Sequence, residues 1–588
     1  MCGIFGAVGD KNAVLSTVEA LEFLEYRGYD SAGVAYNVSG KIEICKTVGR
    51  VDNLKNKLVL PAVADCAIGH TRWATHGAVC NENAHPFLSA KGNFAVVHNG
   101  IIENYAELKK ELTVEGYKFS SQTDSEVVAH LLEKYYRGNA LQAVLSVANR
   151  LTGAFALAIL TRFDELFAVK RRSPLIVGKT GHGYCVCSDV RCISSRCSAV
   201  ATLADGTVCA LSKDRAAFYG FDGKIVQVEF APPLTESVSV PKGDKMLSEI
   251  YDIPRGLRAV AKNYKFGKIF CNVKTGKIRR IYLIGCGTAY NSGLAACSIA
   301  RKLLPVDCFA VHASEFTYDN YPCGRDTLAV FISQSGETAD TVCAAEKAKQ
   351  CGAVVLAITN TVSSTLAGVC KIVVGVHAGA EYAVASTKAY NCQLATLILL
   401  LADFGKSLGC VSADKCENLR SGILRAAACV DEIFAAEGQI ESLAEEIKSA
   451  SAVFFIGRKG DYATAAESSL KLKEITYIHS EAYPAGELKH GTLALMEKGV
   501  AVIAFSTECD LKNKTEGSVA EAEARGATTV TVSPYCAKGK TFTLPTLNED
   551  LYGIISVVPM QLLAYHTAKK LGRDVDKPRN LAKSVTVE

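Results

Sequence analysis

The sequence predicts an α/β protein made of two dissimilar parts: packed sheets first, then two doubly wound units in which strands alternate with long helices. Up to about Gly220 the apolar residues come in short runs, among them 95–97 (Ala-Val-Val), 155–160 (Phe-Ala-Leu-Ala-Ile-Leu) and 166–169 (Leu-Phe-Ala-Val). Each has the length and composition of a buried strand. After about Ser248 such runs are followed by long helical stretches, the alternation that yields a parallel sheet covered by helices. This second part repeats itself. Ile281-Tyr282-Leu283-Ile284 runs into Gly285-Cys286-Gly287-Thr288 and a helical stretch. Roughly 170 residues on, Val453-Phe454-Phe455-Ile456 runs into Gly457-Arg458, with helical spacing from Ala463 to Glu474. Each copy continues with a further buried run, 328–332 in the first and 500–505 in the second. Pro232, Pro233, Ser237, Ser239 and Pro241 mark a linker between the two parts. The expected divisions are 2–220 for the first domain, 221–250 for the linker, 270–412 and 440–580 for the two copies, and 581–588 for a terminal tail.

Composition narrows the function. A chain of 588 residues exceeds what one core organises. Its 49% hydrophobic residues and 47 glycines fit a soluble α/β enzyme better than a disordered or fibrous chain. A net charge of +5 with no basic block argues against nucleic acid as a partner. The first residues lack the basic-then-apolar pattern of a secretory signal. The most apolar long stretch, 394–401, is bracketed by Lys388 and Asp403 and is far short of the ~20 residues that span a bilayer. A cytoplasmic protein with no membrane partner is expected. In a reducing compartment the 23 cysteines read as small buried hydrophobes, not disulfides. Cys185, Cys187, Cys192 and Cys197 cluster without the paired C-x-x-C spacing of structural zinc, so no metal is expected.

Cys2 follows Met1 directly. Removal of Met1, which a small second side chain permits, leaves a thiol and a free α-amine on one residue. An amine with a pKa near ~7.7–8.0 can take the proton of a thiol near ~8.5, which makes the residue its own nucleophile–base pair. An ordinary small residue near a terminus is the bland alternative.

A second candidate site lies in the first copy. Ser333-Gln334-Ser335-Gly336-Glu337-Thr338 follows a buried run and opens a helix. Hydroxyls, an amide and a glycine at a helix start supply the donors and the dipole that a phosphate monoester needs. The 285–288 turn would leave the same sheet edge beside it. No Lys or Arg lies inside the loop and no Walker-type lysine motif is present, which suits a sugar monophosphate better than a nucleoside triphosphate. A serine-rich helix cap is the alternative. The matching segment of the second copy, Ser506-Thr507-Glu508-Cys509-Asp510, carries acidic side chains that would repel phosphate. That copy instead offers Lys471, Lys473 and Glu474 on one helix, then Glu487, Lys489 and His490. Lys471 and Glu474 share a helix face, as a surface ion pair also would.

Further motifs carry a resemblance. Cys2-Gly3-Ile4-Phe5-Gly6, Glu25-Tyr26-Arg27-Gly28-Tyr29-Asp30-Ser31-Ala32-Gly33 and Gly69-His70-Thr71-Arg72-Trp73-Ala74-Thr75-His76-Gly77 resemble a class II glutamine amidotransferase domain, continued by His98-Asn99-Gly100-Ile101 and Gln122-Thr123-Asp124-Ser125-Glu126. The 333–338 loop, Val384-Ala385-Ser386-Thr387-Lys388, Gly486-Glu487-Leu488-Lys489-His490-Gly491 and the tail from Pro578 resemble the isomerising glutamine–fructose-6-phosphate aminotransferase family. The match runs from the first residues to the last. It implies an α/β fold with an N-terminal-nucleophile α/β/β/α glutaminase domain followed by two doubly wound sugar isomerase (SIS) domains, in a homodimer that acts on glutamine and fructose-6-phosphate without metal or organic cofactor.

By the same resemblance, Cys2 attacks the glutamine side-chain amide, releases ammonia and leaves a glutamyl thioester for water. Arg72 faces the glutamine α-carboxylate and Asp124 its α-amine, with Trp73, Thr75 and His76 completing the glutamine site. Asn99 and the Gly100 amide form the oxyanion hole, a role that suits an amide side chain and a backbone N–H. Trp73, the single tryptophan, would gate the path that ammonia takes to the sugar. Thr288, Ser333, Gln334, Ser335, Thr338, Val384 and Ser386 hold the sugar phosphate. Glu474 moves a proton between adjacent carbons, Lys471 partners a sugar hydroxyl, His490 assists ring opening from a neighbouring subunit, and Lys583 forms a Schiff base with the sugar carbonyl. The chain departs from the family at Ala289, where a serine is usual, and at Thr492, where proline is usual. Glutamine-dependent amination of a related sugar phosphate is the alternative. A sugar-sensing module, as in some transcription regulators, is a further reading, opposed by Glu474, Lys471 and Lys583, which a sensor would not need.

Overall fold

The computed structural model describes residues 2–59, 63–73, 77–233, 243–535, 537 and 539–585. It divides into two compact units, Met1–Val238 with Ser584–Glu588, and Ser239–Lys583.

Among the described residues the first unit contains two antiparallel sheets. One runs in the order Ala199–Thr202, Ile176–Lys179, Tyr184–Cys187, Gly3–Val8, Cys66–Arg72, Ser31–Val38, Lys41–Val48. The other runs Arg215–Gly220, Thr207–Ser212, Leu166–Arg171, Phe155–Thr161, Phe94–Gly100, Phe87–Leu88. Successive side chains of a strand point to opposite faces, and these strands are apolar on both. Ile4 and Val8 pack with Ala95, Val97, Ala156 and Ala158 in a core between the sheets. Phe5 and Ala7 turn the other way, onto Val14, Val18 and Leu21 of helix Ala13–Leu24. Phe94 and Val96 meet Leu108, Val127, Leu131 and Val144 from three helices on the far side. Burial on both faces explains why the runs 155–160 and 166–169 read as continuous apolar segments rather than alternating ones. The layering is helix, sheet, sheet, helix.

Cys185, Cys187, Cys192 and Cys197 are all buried beneath helix Ala13–Leu24, with the Cys185 and Cys197 sulfurs 3.4 Å apart.

Among the described residues the second unit holds two five-stranded parallel sheets. The first runs Asp307–His312, Arg280–Gly285, Thr327–Ser333, Val354–Thr359, Ile372–Gly375, and the second Ser480–Pro484, Ala452–Gly457, Val500–Phe505, Thr528–Ser533, Thr541–Thr543. In each, the second strand in sequence lies outside the first, so both copies share one order. The turn after the first strand matches too: Gly287 has φ 51° and ψ −124°, and Lys459 has φ 49° and ψ −121°. Parallel register pairs Gly285 with Ile332, so the turn after Gly285 and the loop after Ser333 emerge side by side. This is the topological switch point, where doubly wound sheets bind ligands. The apolar stretch 394–401 lies in helix Lys388–Ser407, which is buried all round from Lys388 to Gly405; that accounts for its lack of a polar face. No helix among the described residues is long and apolar enough to cross a membrane.

The segment 221–250 is not a free linker throughout. Val226 donates to the Phe218 carbonyl, and Val200 and Ala231 exchange backbone hydrogen bonds, which holds 225–231 on the first unit. At the other end helix Lys245–Tyr251 buries Met246 and Ile250 in the core of the second unit. Prolines interrupt the pattern without preventing these contacts.

Phe331 is fully buried in the middle strand of the first parallel sheet. Phe331→Ala is expected to cost about 3–5 kcal/mol, measured as a lower urea midpoint for the second unit.

Candidate functional site

Two candidate sites form, one in each unit. In the first, register pairs Gly3 with Thr71, which brings Cys2 beside Trp73. The Trp73 N–H donates to the Cys2 sulfur at 3.3 Å, and the thiol lies 3.6 Å from the Trp73 carbonyl. Burial pushes the Cys2 thiol up, opposed by the Trp73 backbone bond and the nearby Arg72 guanidinium.

Asn99 donates from Nδ2 to the Cys2 carbonyl at 2.8 Å. Its Oδ1 lies 3.0 Å from His70 Nε2, which is also 2.9 Å from the His98 carbonyl. A carbonyl only accepts, so His70 Nε2 carries the hydrogen and the Asn99 amide group must face Cys2. Burial drives His70 down to about 3, so that tautomer is neutral. The ring stacks on His85 at 4.1 Å between centroids.

Gly100 ends the same strand at φ 126°, and a Cβ there would stand 2.0 Å from the Ala154 carbonyl oxygen; no other residue fits. Asp124 is buried and accepts from the Ile102 N–H at 2.8 Å and the Ser125 hydroxyl at 3.1 Å. Arg72 is buried with its guanidinium 3.4 Å from the Gly77 and Ala78 carbonyls. Cys2, Arg72, Trp73, Asn99, Gly100 and Asp124 thus occupy ordered positions, while Thr75 and His76 lie outside the described residues.

In the second unit a cavity of about 160 Å³ opens at the switch point, lined by Thr288, Ser333, Gln334, Ser335, Thr338, Val384, Ser386, Lys471, Glu474 and Lys583. Every residue expected to hold the sugar phosphate is among them. His490 is not; it is exposed on the short helix Glu487–His490. The loop is shaped by its own hydroxyls. Ser333 Oγ accepts from the Gly336 N–H at 3.0 Å and lies 3.0 Å from Thr338 Oγ1, and Ser335 Oγ accepts from the Glu337 N–H at 3.1 Å. Gly336 takes φ 69°, with Ser364 Oγ only 2.0 Å from where a Cβ would sit.

The opposite wall comes from the second copy. Helix Gly460–Thr476 places Lys471, fully buried, with Nζ 2.6 Å from Glu474 and 3.6 Å from Glu467. Glu467 also accepts from Thr288 Oγ1 at 3.0 Å and Asn291 Nδ2 at 2.8 Å, both on helix Thr288–Leu303 of the first copy. Burial lifts the Glu467 carboxyl to about 7, against the pull of Lys471. Burial alone would lower Lys471, but Glu474 and Glu467 outweigh it and hold the ammonium above its ordinary range. Glu467 was not singled out in the sequence, although its i,i+4 spacing to Lys471 was there to be read. Thr288 spends its hydroxyl on Glu467, so with Ala289 beside it the turn offers a phosphate little beyond peptide groups.

Lys583 from the tail, with Leu581 and Ala582, closes the cavity and pairs with Glu381, a buried residue outside the expected set. Glu381 also accepts from Ser386 Oγ at 2.7 Å and the Thr387 N–H at 2.9 Å. Burial would raise this carboxyl, but Lys583 and these donors hold it at about 2. The corresponding place in the second copy is filled from within. Asp461, two residues past Lys459 as Ala289 is past Gly287, accepts the Thr507 N–H at 2.9 Å and its hydroxyl at 2.6 Å.

Models of two families match the chain: the glutamine amidotransferase domain over residues 70–195, and the SIS domain over 276–402 and again over 446–569. Glutamine–fructose-6-phosphate aminotransferases (isomerising) from Clostridium tetani and Thermococcus kodakarensis are each 40% identical to it over 608 and 605 residues, covering 100% of both chains. The solved C-terminal domain of the glucosamine-fructose-6-phosphate aminotransferase from Francisella tularensis superposes with a TM-score of 0.56 at 31% identity, covering 58% of this chain and 100% of that one. A putative phosphosugar isomerase from Clostridium difficile, 20% identical with a TM-score of 0.51 over 57% of this chain and 96% of its own, shares the fold. Fold and sites together define a glutamine amidotransferase joined to tandem SIS domains. Within that class, the chain belongs to the isomerising glutamine–fructose-6-phosphate aminotransferase family.

Two outcomes follow from the cavity. Gly336→Ala forces a Cβ onto Ser364 in a left-handed backbone, and is expected to weaken phosphate binding at least ~10-fold, about 1.4 kcal/mol, by calorimetry. Lys471→Ala strands buried carboxyls and is expected to cost about 3–5 kcal/mol of stability, read from urea denaturation.

Proposed function

We propose that the protein hydrolyses glutamine and transfers the ammonia to fructose-6-phosphate, isomerising it to glucosamine-6-phosphate. Glutamine and water give glutamate and ammonia; ammonia and the ketose phosphate give the amino-aldose phosphate and water. The reading is supported above all by one juxtaposition, in which a hydroxyl-rich loop, the Lys471–Glu474 pair and Lys583 meet around one cavity.

In the glutaminase half, Cys2 is the nucleophile and its own α-amine, freed by loss of Met1, the base. Its thiolate attacks the side-chain amide, and Asn99 Nδ2 with the Gly100 N–H stabilises the oxyanion. Arg72 takes the α-carboxylate and Asp124 the α-amine, with Trp73, Thr75 and His76 around the substrate. In the sugar half, the 333–338 loop with Val384 and Ser386 binds the phosphate end. Lys583 forms an imine at C2 with loss of water, and ammonia displaces it to leave its own nitrogen at C2 and the lysine free. Glu474 carries a proton between C1 and C2, and Lys471 steadies a sugar hydroxyl. His490 acts in ring opening from the partner subunit of a homodimer, in the cytoplasm, and none of these steps calls for a metal or organic cofactor.

The test is product analysis with glutamine and a panel of hexose phosphates. Glutamate and glucosamine-6-phosphate are expected in equal amounts with fructose-6-phosphate; a faster turnover of another ketose phosphate favours the related acceptor instead. Cys2→Ala is expected to lower glutamine hydrolysis at least ~10³-fold while fructose-6-phosphate still binds. Mixing His490→Ala with Lys583→Ala protein is expected to restore activity that neither has alone, through hybrid dimers with one intact site.

A further inference from the structure

Glu249 lies in helix Lys245–Tyr251 and is 2% exposed. Its Oε1 accepts the N–H groups of Tyr382 and, at 3.2 Å, Ala383. Its Oε2 is buried without a hydrogen-bond partner. The two peptide groups it holds follow Glu381 directly, and Glu381 is the partner of Lys583. Two buried carboxyls therefore flank one loop, and only Glu381 is paired with the ammonium.

The charged surroundings are few. Glu381 and Lys583 face Glu249 from the neighbouring segments. On its own helix Lys245 sits over the Tyr382 ring, 5.8 Å from the centroid. Asp252 is paired with Arg255 and Lys388. From helix Val558–Lys570, Tyr565 and Lys569 turn to Asp244, and Asp576 takes the Lys245 and Met246 N–H groups. Lys471, across the cavity, also bears on Glu381, and a buried carboxyl with an unpartnered oxygen beside an ionised one favours its neutral form. Glu381 has the ammonium, a hydroxyl and peptide donors; Glu249 has two peptide donors alone. Burial and the Glu381 charge push Glu249 up to about 8, so it holds its proton at neutral pH.

We propose that Glu249 is a positioning residue for Lys583: it fixes the 381–386 loop and leaves Glu381 as the one charged carboxylate paired with Lys583. The inference rests on the reading of Lys583 as the imine-forming residue. In that step the Lys583 ammonium gives up a proton to water, the free amine adds to the sugar carbonyl, a C–N bond forms and the carbonyl oxygen leaves as water. Ionised Glu249 would put a second negative charge beside Lys583, hold the proton on its nitrogen and slow the attack.

The full-length protein is incubated with fructose-6-phosphate and borohydride, and the reduced adduct on Lys583 is quantified by mass spectrometry between about pH 7 and pH 9. Wild type is expected to lose adduct yield at least about threefold as pH rises through the Glu249 range, against the general trend for a free lysine. Glu249→Gln, which cannot ionise, is expected to show no such loss, and Glu249→Asp, which can, to retain it. A Glu249→Gln profile that declines like wild type, or a Glu249→Asp profile that does not decline, overturns the proposal. No adduct on Lys583 at any pH in wild type would instead overturn the reading of Lys583 on which it rests.

Discussion

The buried Lys471 ammonium is the contact on which the sugar half depends. It sits at zero exposure between Glu467 and Glu474 on one helix of the second copy, and Glu467 in turn takes Thr288 and Asn291 from the first copy. A lone ammonium in that place would be prohibitively costly, and a lone carboxylate likewise. Together they satisfy one another and leave Glu474, the half-exposed member, facing the cavity. The same helix therefore ties the duplicated domains together and brings an ammonium to a cavity whose 333–338 loop has no cation of its own.

The glutamine amidotransferase half uses the opposite strategy around Cys2. His70 remains neutral far below physiological pH, and the hydrogen it donates orients the Asn99 amide toward Cys2. The orientation of that donor is consequently insensitive to pH around neutrality. Gly100, next along, is fixed by lack of space rather than by charge. Gly100 and the 333–338 loop both lie at strand ends, where the chain leaves the sheet.

Much of this architecture was legible in the sequence because strands buried on two faces leave continuous apolar runs, and the repeated strand–glycine–helix unit announced the duplication. The hydroxyl loop was legible for the same reason: its composition and its place after a strand are both local. What sequence did not disclose were the charges whose meaning comes from burial. Glu467 and Glu381 look like any surface carboxylate until helices and loops from distant parts of the chain cover them, and Lys471–Glu474 has the same spacing as a solvated ion pair. The segments on either side of the proline-rich stretch were harder to read. They look like linker by composition, yet Val226, Ala231 and Met246 find partners far away in sequence.

Asp461 gives the duplication its asymmetry. By bonding the Thr507 N–H and hydroxyl, it supplies the second copy with a resident anion where the first copy leaves room for a guest. A self-liganded domain has its loop ordered before any substrate arrives. Asp461 thereby ties the Thr507 loop to the helix that also carries Glu467, Lys471 and Glu474. Once one copy carried its own anion, the pair ceased to be two receptors and became one receptor and its frame.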